Sequence, residues 1–229
     1  MSSLLSDPLF GVTVTVAAYT LSQALHRRFR WLHPLLTTSV MLIALLQVLQ
    51  LPYADYKIGG DWISFLLGPA TVALAVPLYK HAREIREHLP VLLTAIAIGS
   101  LVGLVSAAVL VRGLHGSHPV LLSMLPKSVT APISMAIASE IHGEPPLTAV
   151  FTVLAGLLGS MAGPTVLRAV GIRHDLAIGA AIGTCSHGIG TARLVRESEL
   201  QGGVSALAMA SAGIITSILA IPVAAWLAQ

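Results

Sequence analysis

Lys127 stands between Pro126 and Pro132, with Ser128 and Thr130 beside it, inside an apolar segment covering about residues 119–141. Each proline removes a backbone donor and disfavours helix in the residue before it. One ammonium and two hydroxyls therefore sit at a break in the chain. A lone charge in an apolar span is costly and points to function. A second polar break, Gly183-Thr184-Cys185-Ser186-His187-Gly188-Ile189-Gly190-Thr191, interrupts another apolar segment. Paired broken helices with small polar residues are how many transporters build a site near the membrane midplane.

The side chains at the two breaks have competing readings. Lys127 can bind a carboxylate, neutralise a buried acid such as Glu140, or snorkel to an interface. Ser128, Thr130, Thr184, Ser186 and Thr191 can meet a ligand or satisfy backbone groups freed by the breaks. Exposed amides at half-helix ends would add partial positive charge for an anion. His187 is read either as a buried neutral imidazole bonded to backbone or as a substrate or proton ligand. Arg193 suits a carboxylate and equally suits an interface anchor. Glu140, His142 and Glu144 before Pro145-Pro146 read as a solvated turn, and Asp175 as the start of a helix.

Enzyme chemistry finds no matching pattern. H-E-x-x-H, G-x-S-x-G and a Walker A loop are all absent from the chain. Nine histidines show no metal-ligand spacing. No catalytic residue, metal or cofactor is expected.

The elements that hold these residues are membrane helices. The 229 residues are 55% hydrophobic and 10% charged, with mean hydropathy +0.84, whereas soluble domains are about 25% charged. The expected fold is an all-α polytopic integral membrane protein, a single transmembrane domain over residues 1–229. It has about eight spans, at about 9–25, 35–51, 63–79, 89–111, 119–141, 147–167, 176–194 and 204–227. Trp31 is an expected interface anchor. The first residues lack a basic run ahead of the apolar one, so a cleaved signal peptide is not expected. The net charge of +3 comes from loops and bears on topology rather than on nucleic acid. Cys185 is the single cysteine.

Discontinuous helices are expected near 68–69, 126–132 and 186–190, with the last two breaks facing each other. Pro69 to Pro126 and Pro126 to Gly183 are both 57 residues, which suggests internal repeats. Odd loops carry eight Lys and Arg against four in even loops, so simple alternation makes the odd loops cytoplasmic and both termini external. A re-entrant segment at either break would upset that count. Gly99-x-x-x-Gly103, Gly159-x-x-x-Gly163 and Gly179-x-x-x-Gly183 let backbones approach. They read first as packing within one subunit, with a homodimer seam as the alternative.

Three stretches carry a resemblance: residues 68–80, Pro126-Lys-Ser-Val-Thr-Ala-Pro132, and residues 183–191. Together they resemble the LrgB/CidB family, clearest over about 66–219. Cys185 stands where the family pattern has a small residue such as Ala or Ser. The family includes bacterial proteins discussed as partners of holin-like LrgA/CidA proteins in murein hydrolase control. It also includes the plastid glycolate/glycerate translocator, in which LrgA-like and LrgB-like parts are fused. The resemblance implies transport of small monocarboxylates of the glycolate, glycerate, pyruvate or lactate type. Its alternative is non-catalytic modulation of an LrgA/CidA-like partner. Expected partners are a small organic anion, the lipid bilayer of a bacterial inner membrane, and that holin-like protein. The expected substrate residues are Lys127, Ser128, Thr130, Thr184, Ser186, His187, Thr191 and Arg193.

Overall fold

A computed structural model describes residues 7–29 and 32–227. Trp31 and Arg30 lie outside the described residues. Every regular element among the described residues is a helix. Among the described residues five helical stretches are long and apolar enough to cross a membrane: Pro8–Arg28, Tyr53–Lys80, Leu89–Gly113, Pro145–Ala169 and Glu199–Leu227. The expected second span is the shorter apolar helix Pro34–Val48.

The chain groups into two compact units, residues 1–72 and 73–229. In the first, α1 (Pro8–Arg28), α2 (Pro34–Val48) and α3 (Tyr53–Phe65) pack together. Asp7 caps α1 through Leu9 N, and Pro8 suits the first turn. Gly11 and Gly59 bring α1 and α3 into backbone contact: a Cβ on Gly11 would stand 2.9 Å from Gly59 Cα. Thr15 Oγ1 meets the Tyr56 hydroxyl at 2.9 Å beside that contact. α4 (Leu67–Ala73) leads out of this unit.

The second unit holds α5 (Ala75–Lys80), α6 (Ala82–Glu87), α7 (Leu89–Gly113), α8 (His118–Met124), α9 (Ala131–Glu140), α10 (Pro145–Ala169), α11 (Asp175–Glu197) and α12 (Glu199–Leu227). The long helices α7, α10 and α12 frame two segments that turn back on themselves.

The first is α8, the loop 125–130 and α9. Pro119 and Pro132 each sit in a first helical turn, where a missing donor costs nothing. The foot of α9 returns to α8: Glu144 N donates to Ser123 Oγ at 2.8 Å, and a Cβ on Gly143 would stand 3.1 Å from Ser123 N. Leu121, Leu122, Leu125, Ile137 and Ile141 share one core with Leu104, Ala108 and Val111 of α7 and Ala220, Ala224 and Leu227 of α12. This hairpin therefore starts and finishes where α7 and α12 end, and Arg112 donates to Leu227 O there.

The second is α11. A straight helix of its 23 residues would be about 34 Å long. Instead His187, at φ 40° and ψ −134°, reverses the chain midway. On the way in, Ile182 packs where Gly163 of α10 lacks a Cβ. On the way back Arg193 donates to Ser160 O and Met161 O of the same helix. Glu197 reaches Arg168 at 3.5 Å, and Gln201 Nε2 donates to Asp175 Oδ1 at 2.8 Å. Both feet lie at one end, where α7 and α12 begin and α10 finishes. Of the Lys and Arg in residues 73–229, Lys80, Arg83, Arg86, Arg168, Arg173, Arg193 and Arg196 lie toward this basic end, and Arg112 alone lies at the other.

These contacts change the expected alternation of loops. The turns at 113–118 and 140–145 share one end, and those at 80–88, 169–175 and 197–199 share the opposite one. The physical reason is that a broken apolar segment of this length can pair its own halves as readily as it can cross.

All three G-x-x-x-G pairs serve contacts inside the chain. Gly99 and Gly103 receive Thr184 and Ser128, Gly159 and Gly163 receive Ser186 and Ile182, and Gly179 and Gly183 lie against Gln201, Val204, Ser205 and Ala208 of α12.

Candidate functional site

The two hairpin tips reach the same stretch of α7. Lys127 Nζ donates to Gly103 O at 3.0 Å. A Cβ on Gly103 would stand 3.6 Å from Ser128 Oγ, and one on Gly99, a turn earlier, 3.3 Å from Thr184 Cγ2. Lys127, Ser128 and Thr184 thus come together against two glycines whose missing side chains make room for them. Lys127 is half-buried, and no carboxylate among the described residues lies within ion-pair distance of it. Glu140 is exposed and forms no ion pair among the described residues, so the alternative in which it neutralises Lys127 is not the arrangement found. Thr130 occupies the N-cap of α9 without a side-chain cap bond.

The two tips also share α10. Buried Thr152 donates from Oγ1 to Ser134 Oγ of the first hairpin at 2.9 Å, and its carbonyl meets His187 Nε2 of the second at 3.0 Å. Gly156 and Gly159 make this close approach possible. A Cβ on Gly156 would stand 2.7 Å from His187 Nε2, and one on Gly159 would overlap Ser186 Oγ. His187 is 5% exposed and its Nε2 meets backbone, the arrangement of a buried imidazole bonded to backbone, while the ring stands at the tip. Its positive φ favours glycine, and a side chain held there implies local strain that surrounding contacts must offset.

Two expected residues are placed differently. Thr191 Oγ1 bonds His187 O at 2.7 Å and Ser205 Oγ at 2.8 Å, which ties the returning half of the hairpin to α12. Arg193 joins Glu197 at 2.7 Å and α10 carbonyls near the hairpin's foot. Neither is brought to the Lys127–Ser128–Thr184 group.

A cavity of about 570 Å³ lies between α7 and the first half of α11. Ser128, Thr184, Cys185 and Gly103 line its inner end, His88 and His174 its outer end, and the wall between is alanine, glycine and branched aliphatics. Thr152 and Ser134 are the residues that sequence reasoning passed over, each one hydroxyl in an apolar helix with no local signal. Cys185 stands in the motif without an expected role and lines the cavity. Among the described residues no cluster of His, Cys, Asp or Glu could hold a metal ion.

Comparison with known proteins matches residues 15–226 to the model of the LrgB-like family. The chain is similar to the Bacillus subtilis protein YxaC, 38% identical over 218 residues covering 94% of each chain. A Haemophilus influenzae protein is 34% identical over 209 residues, 90% of each chain. The Bacillus subtilis protein named antiholin-like protein LrgB is 30% identical over 226 residues, 97% of each. No solved structure matches.

Proposed function

The chain belongs to the LrgB-like family, and on that premise we propose that it carries small monocarboxylates across a bacterial inner membrane. The site is where the two hairpin tips meet. One observation carries this reading: Lys127 brings an ammonium into an apolar unit with a backbone carbonyl, and no carboxylate among the described residues, as its partner. Taking an ammonium from water costs several kcal/mol that one carbonyl does not return. A bound carboxylate would offset that cost, and Lys127 would offset the desolvation of the anion. Ser128 and Thr130 supply hydroxyls. The uncapped start of α9 and the start of the returning half of α11 supply amides of positive partial charge. Ser186 and His187 seat the second tip against α10, Thr184 turns its methyl toward Gly99, and Thr191 and Arg193 hold the second hairpin in position.

In this reading the broken segments are re-entrant, and the eight apolar segments of the sequence comprise six crossings and two hairpins. The hairpins enter from opposite ends, which fits an inverted pair rather than a parallel repeat. The basic end is cytoplasmic, since seven Lys and Arg lie toward it against one at the other.

Purified protein in liposomes tests the proposal. Uptake of labelled pyruvate, lactate, glycolate or glycerate should be saturable and competed by other short monocarboxylates but not by dicarboxylates. A second reading draws on the relatives named antiholin-like. In that reading the chain modulates a holin-like membrane partner and moves no solute. Absence of uptake by the chain alone, with altered murein hydrolysis in cells lacking it, would favour that reading.

A further inference from the structure

The cavity between α7 and α11 is long rather than compact. Its lining runs from His88, just before α7, to Gly103, which is about 22 Å along a helix. On the facing element it runs from His174 to Cys185. It thus joins the basic end of the unit to the first hairpin's tip. Small side chains keep it open: Ala95 and Gly99 on α7, and Ala177, Ala180 and Ala181 on α11. No aspartate or glutamate lines it, and its inner end lies beside the Lys127 ammonium, which bonds Gly103 O. Cys185 lines its inner end although it sits deep in an apolar segment.

We infer that this cavity is a water-filled vestibule, open to the cytoplasmic end and closed to the other, through which a singly charged organic anion reaches Lys127 and Ser128. On the opposite side the path is blocked by the first hairpin itself. Leu121, Leu122, Leu125 and Val129 are buried among α7 and α12 side chains between the tip and the far end. The absence of lining carboxylates leaves no charge to repel an anion, and the apolar wall lacks partners for a second anionic group. The nature of the anion rests on the proposed function and the sidedness on the assignment of the basic end to the cytoplasm; the water path rests on neither.

Cys185 is a native reporter, since it is the only cysteine. The experiment applies a membrane-impermeant, negatively charged methanethiosulfonate to sealed inside-out and right-side-out vesicles holding the full chain. Unmodified thiol is then counted by mass-tagging after denaturation. Bringing a charge through hydrocarbon costs at least about 2.5 kcal/mol, so a water path should make modification from the cytoplasmic face faster by roughly fiftyfold or more. Ala95→Trp and Ala177→Trp, each placed in the vestibule wall and away from the tips, should narrow the path and slow the modification. Their melting curves in detergent should match the wild type. A Ser128→Trp chain, if folded, should leave the outer vestibule open and protect Cys185 from the reagent.

Faster modification from the external face would overturn the sidedness. Modification by an uncharged permeant maleimide alone would show a lipid-filled groove and overturn the vestibule, as would a thiol silent to every reagent. If labelling runs as expected while liposomes show no uptake, the vestibule stands and the transport reading fails.

Discussion

Lys127 and His187 are both placed where an ordinary side chain would be cheaper. Lys127 has one carbonyl for its ammonium, and a charge-assisted bond to a carboxylate is worth about 1.5–3 kcal/mol. Lys127→Ala should therefore weaken monocarboxylate binding by roughly tenfold to a hundredfold, measured by titration calorimetry on purified protein. Lys127→Arg should recover only part, since a planar guanidinium does not replace a point charge. Adding Glu140→Ala to Lys127→Ala should rescue nothing, because Glu140 is exposed and unpaired; rescue would make Lys127 a structural partner of that acid. His187 combines a positive φ with a bond to Thr152 O. His187→Gly should melt at a higher temperature than His187→Ala, because glycine adopts that conformation without the steric cost, while both lose the imidazole. Equal melting would mean that the turn is not strained. At this scale the charged and hydroxyl groups of both breaks were legible, because each is anomalous in an apolar run. Thr152 and Ser134 were not, since their partners lie 18 and 35 residues away and nothing local distinguishes them.

The hairpins rest on glycines that leave no room for error. A Cβ on Gly159 would occupy the place of Ser186 Oγ, so Gly159→Ala must shift the second tip. Overpacking of this kind costs about 1–3 kcal/mol, to be read as a lower melting temperature in detergent. Ser186→Ala on the Gly159→Ala background should recover part of the loss, since the residues are in contact and their effects should not add. Additive losses would contradict the packing. The positions of the breaks were readable from Pro126, Pro132 and the glycine-rich run 183–191. Whether a broken segment crosses or returns was not, because hydropathy is the same for both. The answer lies in contacts between remote residues: Arg168 with Glu197, Asp175 with Gln201, and Ser123 with Glu144.

For the membrane-embedded molecule, those contacts fix which loops share a face. In a Cys185→Ser background, cysteines replacing His115 and His142 should be labelled by an impermeant thiol reagent from one face of sealed vesicles. Cysteines replacing His81 and Arg173 should be labelled from the other. Simple alternation places residues 140–146 with residues 80–88 instead, so joint labelling of His142 and His81 positions would contradict the re-entrant arrangement. The overall class was legible in composition, because 55% hydrophobic and 10% charged residues point to a polytopic membrane protein, and the long apolar helices agree. The count of crossings was not, for the reason that governs the hairpins. The central claim is that a lone ammonium between two hairpin tips binds the transported anion. Uptake of labelled short monocarboxylates into liposomes, with wild type and Lys127→Ala reconstituted at equal density, tests it most directly. The account predicts saturable uptake by the wild type and its loss in a Lys127→Ala protein that melts normally; equal uptake by both proteins would contradict it.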